Sequence, residues 1–191
     1  MKQILLGLCL VILAMNCKSD QQTNSSTETQ VAAAKAAIKE LATALKTELK
    51  GAMQTGGPVA AIGVCNTQAI PITQKVATEQ GLVLSRVSLK NRNPGNLPND
   101  WQTEVLLGFE KQRAAGKDVN SLAWSETVDV DGEQQFRFMK AIPTGPVCLS
   151  CHGADLSPDV SRILAGLYPE DRATGYQEGD VRGAFVVTSK P

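Results

Sequence analysis

The chain of 191 residues holds a single histidine, and it stands in Cys148-Leu149-Ser150-Cys151-His152. Any site that needs an imidazole must therefore be folded around this one pentapeptide. Two thiols three positions apart, with an imidazole directly after the second, have the spacing of c-type haem attachment. Each thiol can form a thioether to one of the two vinyl groups on a porphyrin edge, and the adjacent imidazole then reaches the iron as proximal ligand. The same letters also suit a zinc or disulfide turn, so the surrounding sequence has to decide.

The N-terminus favours haem. Residues 1–17 read as an export signal, with Lys2 as the positive region, Ile4 to Met15 as the apolar region and Cys17 after Ala14-Met15-Asn16. The apolar run is shorter than the ~20 residues of a membrane span. A cysteine at this place suggests a bacterial lipoprotein with Cys17 as the lipidated residue, although Asn16 and the placement of Leu13 depart from the usual lipobox. Ordinary signal cleavage is the alternative. Residues 18–29 then read as a flexible tether leading from the membrane surface, and residues 30–191 as one domain, long enough to bury a core. The expected location is the periplasmic face of a bacterial membrane, reached through the N-terminal lipid.

Composition narrows the partners. Nineteen basic and nineteen acidic residues cancel, and there are only two Trp, two Tyr and four Phe. With no basic tract, nucleic acid is not an expected partner. Of five cysteines, Cys9 is lost with the signal, Cys17 is the lipid site, and Cys148 and Cys151 hold the haem. Cys65 is left without a partner, which in an oxidising compartment is unusual; a buried inert thiol is its bland explanation.

With one histidine, bis-histidine ligation within the chain is excluded. The distal candidates are Met53, Met139, Cys65, a lysine or an open position. Met139 alternates with Phe136 and Phe138 as a core residue would. Cys65 ends the apolar stretch Pro58 to Val64 and precedes Asn66-Thr67, a helix-start signal. It is therefore expected at a strand-to-helix junction, where a helix N-terminus would lower its pKa. That placement favours Cys65 as axial ligand and leaves methionine or an open site as alternatives.

The periodicity predicts a helix over 28–50, a break at 51–58, a strand at 58–65 and a helix at 67–80 ended by Gly81. A strand follows over 82–90 with Arg86, Ser88 and Lys90 on one face. Residues 91–100 form a turn-rich loop, with Asp100 placed to cap the helix that carries Trp101, Val105, Leu106 and Phe109. Strands at 123–130 and 134–142 flank the turn Asp131-Gly132. A short helix at 157–167 and a strand at 182–188 complete an α+β domain with one antiparallel sheet. Arg86, Lys90, Arg92 and Asn93 are candidates to hold haem propionates, and Trp101 to pack on the porphyrin. Tyr168, Asp171, Arg172 and Tyr176 are candidates to brace the haem loop.

Several motifs, taken in order, resemble those of one bacterial c-type haem family. They are Ile62-Gly63-Val64-Cys65; Arg86 to Pro94 with Asn96, Pro98, Trp101 and Glu104; Cys148 to Gly153; and Tyr168 to Tyr176 with Gly179-Asp180-Val181-Arg182-Gly183. That family, formerly a domain of unknown function, includes a cyanobacterial haem protein and extracytoplasmic portions of signalling proteins. The resemblance runs over roughly residues 30–190. It implies a PAS-like antiparallel sheet with flanking helices and a long N-terminal helix, one covalent haem c, and His152/Cys65 axial ligation. No kinase, cyclase or receiver follows Pro191, so a sensing role is expected to act through a separate redox or signalling protein.

Three functions compete: a redox or NO/CO sensor, a periplasmic electron-transfer cytochrome, and a Cys3His zinc domain made by Cys65, Cys148, Cys151 and His152. Consecutive ligation by Cys151 and His152 is awkward for one tetrahedral metal. A peroxidase would want a distal histidine, and none remains, so an enzyme is not expected.

Overall fold

The computed structural model describes residues 17–190, with side chains from residue 25 onward. The export signal therefore lies outside the described residues, save the backbone of Cys17. Eight principal elements follow in order: α1 (Cys17–Gln80), β1 (Val83–Val87), α2 (Asp100–Ala114), β2 (Ala123–Val130), β3 (Glu133–Pro143), α3 (Leu149–His152), α4 (Pro158–Leu167) and β4 (Val181–Thr188). The strands form one antiparallel sheet in the order β1-β4-β3-β2. This is the expected α+β architecture. Among the described residues no helix is long and apolar enough to cross a membrane.

The alternation along each strand sorts side chains to two faces. On one face, Leu84, Phe136, Phe138 and Val187 pack under Ala34, Ala37, Ile38, Leu41 and Val76 of α1. On the other, Val87, Met139, Ala141, Ala184 and Val186 pack under Val105, Leu106 and Phe109 of α2. Met139 is fully buried in that second core, so the structure makes it filler under α2 rather than a ligand.

Three expectations are corrected. The stretch 58–65 is helix, not strand. Helix α1 is broken only at Gly56 (φ −153°) and Gly57 (φ 65°), and resumes at Pro58. Proline suits the first turn of a helix because its missing N–H would have no partner there. The run from Pro58 to Val64 has too few polar residues to separate the two periods. Its helical character shows in the spacing of the buried Ala61, Ile62, Ala69 and Val76. Secondly, the residues expected as a tether, 18–29, continue α1 as helix. Thirdly, Asn99 rather than Asp100 caps α2. Its side chain accepts from Gln102 N at 3.1 Å while Gln102 Oε1 accepts from Asn99 N at 3.1 Å, a reciprocal capping box.

The hairpin β2–β3 forms where predicted, because Asp131 (φ 56°) and Gly132 (φ 88°) both take the left-handed conformation of a two-residue turn. At Gly183 the strands β4 and β1 approach so closely that a Cβ would lie 2.3 Å from the Val87 carbonyl oxygen, and φ is 155°. Gly183→Ala is expected to cost about 3 kcal/mol through that overlap and strained backbone. Thermal melting would read it as a fall of roughly 6–12 °C in the midpoint; an unchanged midpoint would refute the close approach.

Candidate functional site

The lone histidine ends α3, a single turn capped by Cys148 and containing Cys151, both free thiols. Three contacts with the 171–176 loop hold that turn. Gly175 N donates to Gly153 O at 3.0 Å and Tyr176 N to His152 O at 2.9 Å. The His152 ring meets the Ala173 carbonyl through Nδ1 at 2.7 Å. A carbonyl can only accept, so Nδ1 carries the proton and Nε2 keeps its lone pair. The Tyr176 ring stands edge-on to the imidazole, with centroids 6.2 Å apart at 87°. Burial drives the His152 pKa down to about 2, with the charges of Arg182 and then Arg92 adding to it. The imidazole is thus held neutral, in one tautomer, with one nitrogen ready to bind a metal.

Arg92 ties this turn to the rest of the domain. Its Nη2 donates to Cys151 O at 2.6 Å and Ala173 O at 3.2 Å, while Nε donates to Asp171 Oδ2 at 3.0 Å. Lys90 donates through Nζ to the Thr174 carbonyl, and its ammonium lies 4.4 Å from the Tyr176 ring centroid. Both were expected at propionates; both have donors engaged with backbone of the 171–174 loop or its neighbours. Asn93 builds its own turn, accepting through Oδ1 from Gly95 N at 2.8 Å. Trp101 stacks on Trp124 (5.7 Å, 26°) beneath Arg137 and belongs to the core under α2. No residue of the pentapeptide is part of that core. Of the expected loop braces, Asp171 and Tyr176 act through side chains, whereas Arg172 is exposed and contributes its backbone N–H to Asn91 O.

Cys65 lies on the second arm of α1, and that arm packs on α3 and α4. Ile62 enters a small cluster with Val160, Leu164 and Tyr168, against which Cys151 is packed. Cys65 lies near enough to Cys151 to raise the pKa of that thiol, and Arg86 lies near enough to Cys65 to lower the pKa of Cys65. Fold and sequence separation thus converge: a thiol on α1 and the pentapeptide are brought to one place. The predicted helix N-terminus at Cys65 is absent, because the residue sits within the helix. Cys65 is exposed at the surface, yet the protein atoms around its thiol displace enough water to raise its pKa, while Arg86 and then Arg92 pull it back. Met53, by contrast, lies on the first arm, ahead of the Gly56–Gly57 break.

Among the described residues no group of three or more His, Cys, Asp or Glu side chains is arranged to hold a metal ion. The four-ligand zinc arrangement is therefore not formed. Sequence reasoning assigned no role to Arg182, although the motif around it was noticed. Its Nη1 donates to Ser88 Oγ at 3.0 Å and to Lys90 O at 3.3 Å. The only signal available was a basic residue ahead of a glycine in a closing strand.

A family profile described as Tll0287-like matches residues 18–189. The crystal structure of the cyanobacterial heme-protein Tll0287 superposes with a TM-score of 0.58 at 22% sequence identity, covering 87% of this chain and 95% of that one. The likeness establishes the fold, a PAS-like sheet with flanking helices and a long N-terminal helix. No curated protein matches the chain.

Proposed function

The chain belongs to the Tll0287-like family, and from that premise we propose that it is an exported c-type haem protein that senses redox state or a diatomic gas. One haem c is held through Cys148 and Cys151, with His152 and Cys65 as axial ligands. Cys17 carries a lipid that keeps the domain at the periplasmic face of the membrane. The relative in that family with a solved structure is itself described as a heme-protein.

The donor set suits the cofactor. Cys148 and Cys151 are free and one helical turn apart, so each S–H can add across one vinyl group. The sulfur bonds to the inner vinyl carbon, the hydrogen goes to the outer one, and no electron is left over. His152 presents Nε2 because Ala173 holds Nδ1–H. When bound, the haem would supply one-electron chemistry and, once Cys65 is released, a coordination position for NO or CO.

The observation that carries the sensing reading is the placement of Cys65 on a different element from the attachment motif. The attachment turn is fixed by Arg92, Ala173 and Tyr176. Cys65 is carried by a helical arm that starts afresh after Gly56–Gly57. Its release on reduction would leave the porphyrin anchored while freeing α1 to shift, which is a two-state switch. A partner protein would read that shift.

Optical spectra of wild type and Cys65→Ala, oxidised and reduced, with and without CO, test this. The expected result is a thiolate-type ferric spectrum lost in the variant, and CO binding by the reduced wild type. An unchanged variant spectrum with a methionine–iron charge-transfer band would refute Cys65 ligation and leave an electron-transfer cytochrome.

A further inference from the structure

Seven arginines are present, all among the described residues. Four are neutralised by ion pairs: Arg92 with Asp171, Arg113 with Asp180, Arg137 with Glu126 and Arg162 with Asp159. Arg172 is exposed. Arg86 and Arg182 are different: each is half-buried, and neither has an acidic partner among the described residues. Burial is the largest influence on both, lowering the pKa of each guanidinium. A buried charge is costly unless an opposite charge and hydrogen bonds compensate it.

The free donors point to where compensation would come from. Arg182 donates through Nη1 to Ser88 Oγ and to the Lys90 carbonyl, and its guanidinium lies 5.2 Å from the Tyr176 ring centroid. Arg86 makes no hydrogen bond to any described residue. Yet among the described residues the one fully buried side-chain polar atom without a partner is Thr144 Oγ1. The unused guanidinium nitrogens therefore open onto accessible space rather than being sealed in protein.

Their positions flank the site. Arg182 stands 5.2 Å from the Tyr176 ring centroid, and that ring is edge-on to His152 at 6.2 Å. Its Nη1 donates to Ser88 Oγ, two residues along the chain from Arg86, and Arg86 is in turn the largest charge acting on Cys65. One cation thus attends each axial-ligand candidate, and the ion-paired Arg92 acts on both. We infer that Arg86 and Arg182 form a two-armed clamp for a pair of carboxylates carried on one edge of a ligand. This rests on the haem reading, under which those carboxylates are the two propionates. Two forked cations against two carboxylates give local charge balance and bidentate geometry. Both arginines are positioning residues, and Lys90, Asn93 and Arg92 leave the propionate role to them.

The test uses the haem-loaded protein in five forms: wild type, Arg182→Gln, Arg182→Lys, Arg86→Gln and Arg172→Gln. Resonance Raman reads the propionate-bending band, and a redox titration reads the midpoint potential. Each glutamine variant of the clamp is expected to shift the Raman band and lower the potential, because losing a cation favours the ferric state. Arg182→Lys should restore most of the potential, and Arg172→Gln should change neither reading. A merely structural Arg182 would lower stability without moving the Raman band. Wild-type readings in both clamp variants would overturn the inference. A shift of the wild-type potential on adding succinate would also overturn it, since an occupied clamp has no room for a free dicarboxylate. Wild-type protein lacking covalent haem would instead sink the haem reading itself.

Discussion

Replacing both Cys148 and Cys151 by serine is expected to abolish covalent haem while leaving the fold in place. Cys148 caps α3 and Cys151 lies within it, whereas Cys65, the remaining described free cysteine, is on another helix. Neither of the two main cores contains either residue. Only the small cluster around Ile62, Val160, Leu164 and Tyr168 touches Cys151. Exchanging sulfur for oxygen there should cost about 1 kcal/mol, the ordinary size of a single-site effect. Haem staining after denaturing electrophoresis should fall to background in the double variant, with the circular dichroism of the folded domain retained. Cys148→Ser alone should leave one thioether through Cys151 and a haem that still stains. Haem that survives denaturation in the double variant would refute attachment at this motif. His152→Ala separates ligation from attachment: the covalent haem should persist with an altered Soret band, because thioether formation needs the thiols and not the imidazole.

The readings that succeeded from sequence depend on short-range chemistry. The hairpin β2–β3 was legible because Asp131-Gly132 can take the required turn conformation by itself. Helix α4 was legible because Ser157 caps it, accepting from Val160 N at 3.4 Å. The pentapeptide stands out as a candidate site without tertiary information, as a pattern rather than as a reading the fold tests. The stretch 58–65 failed because an uninterrupted apolar run carries no period, and what makes it helix is its packing on α4 through Ile62. Cys65 kept its candidacy for a different reason from the one its local sequence suggested. Its importance lies in tertiary proximity to Cys151, whereas the helix-start argument placed it at a terminus that does not exist. Arg182 was invisible for the same physical reason in reverse. A basic residue in a strand is normally solvated, and only the absence of an acid beside it in three dimensions sets it apart from Arg113 or Arg137. The stacking of Trp101 was equally illegible, since its neighbour Trp124 comes from strand β2, which no local pattern could pair with helix α2.

Arg92→Met is expected to be the most damaging single substitution for the site's architecture. The arginine is 11% exposed and its partner Asp171 10% exposed, so the ion pair is screened little by solvent. Removing one partner of a buried pair strands the other charge, at a cost of about 3–5 kcal/mol. Here the loss also frees the carbonyls of Cys151 and Ala173, which Arg92 Nη2 bridges. The Ala173 carbonyl is the same acceptor that fixes His152 Nδ1–H, so instability and misorientation of the imidazole should appear together. Urea denaturation should show the lowered midpoint, and the ferric spectrum should become a mixture of coordination states. Adding Asp171→Asn to Arg92→Met removes the stranded carboxylate and should recover about 1–3 kcal/mol, the coupling expected of contacting residues. The spectral mixture should persist in the double variant, because the carbonyl bridge to Cys151 and Ala173 is still missing. Equal recovery of stability and spectrum would mean that the ion pair alone matters and that the bridge to the pentapeptide does not orient His152.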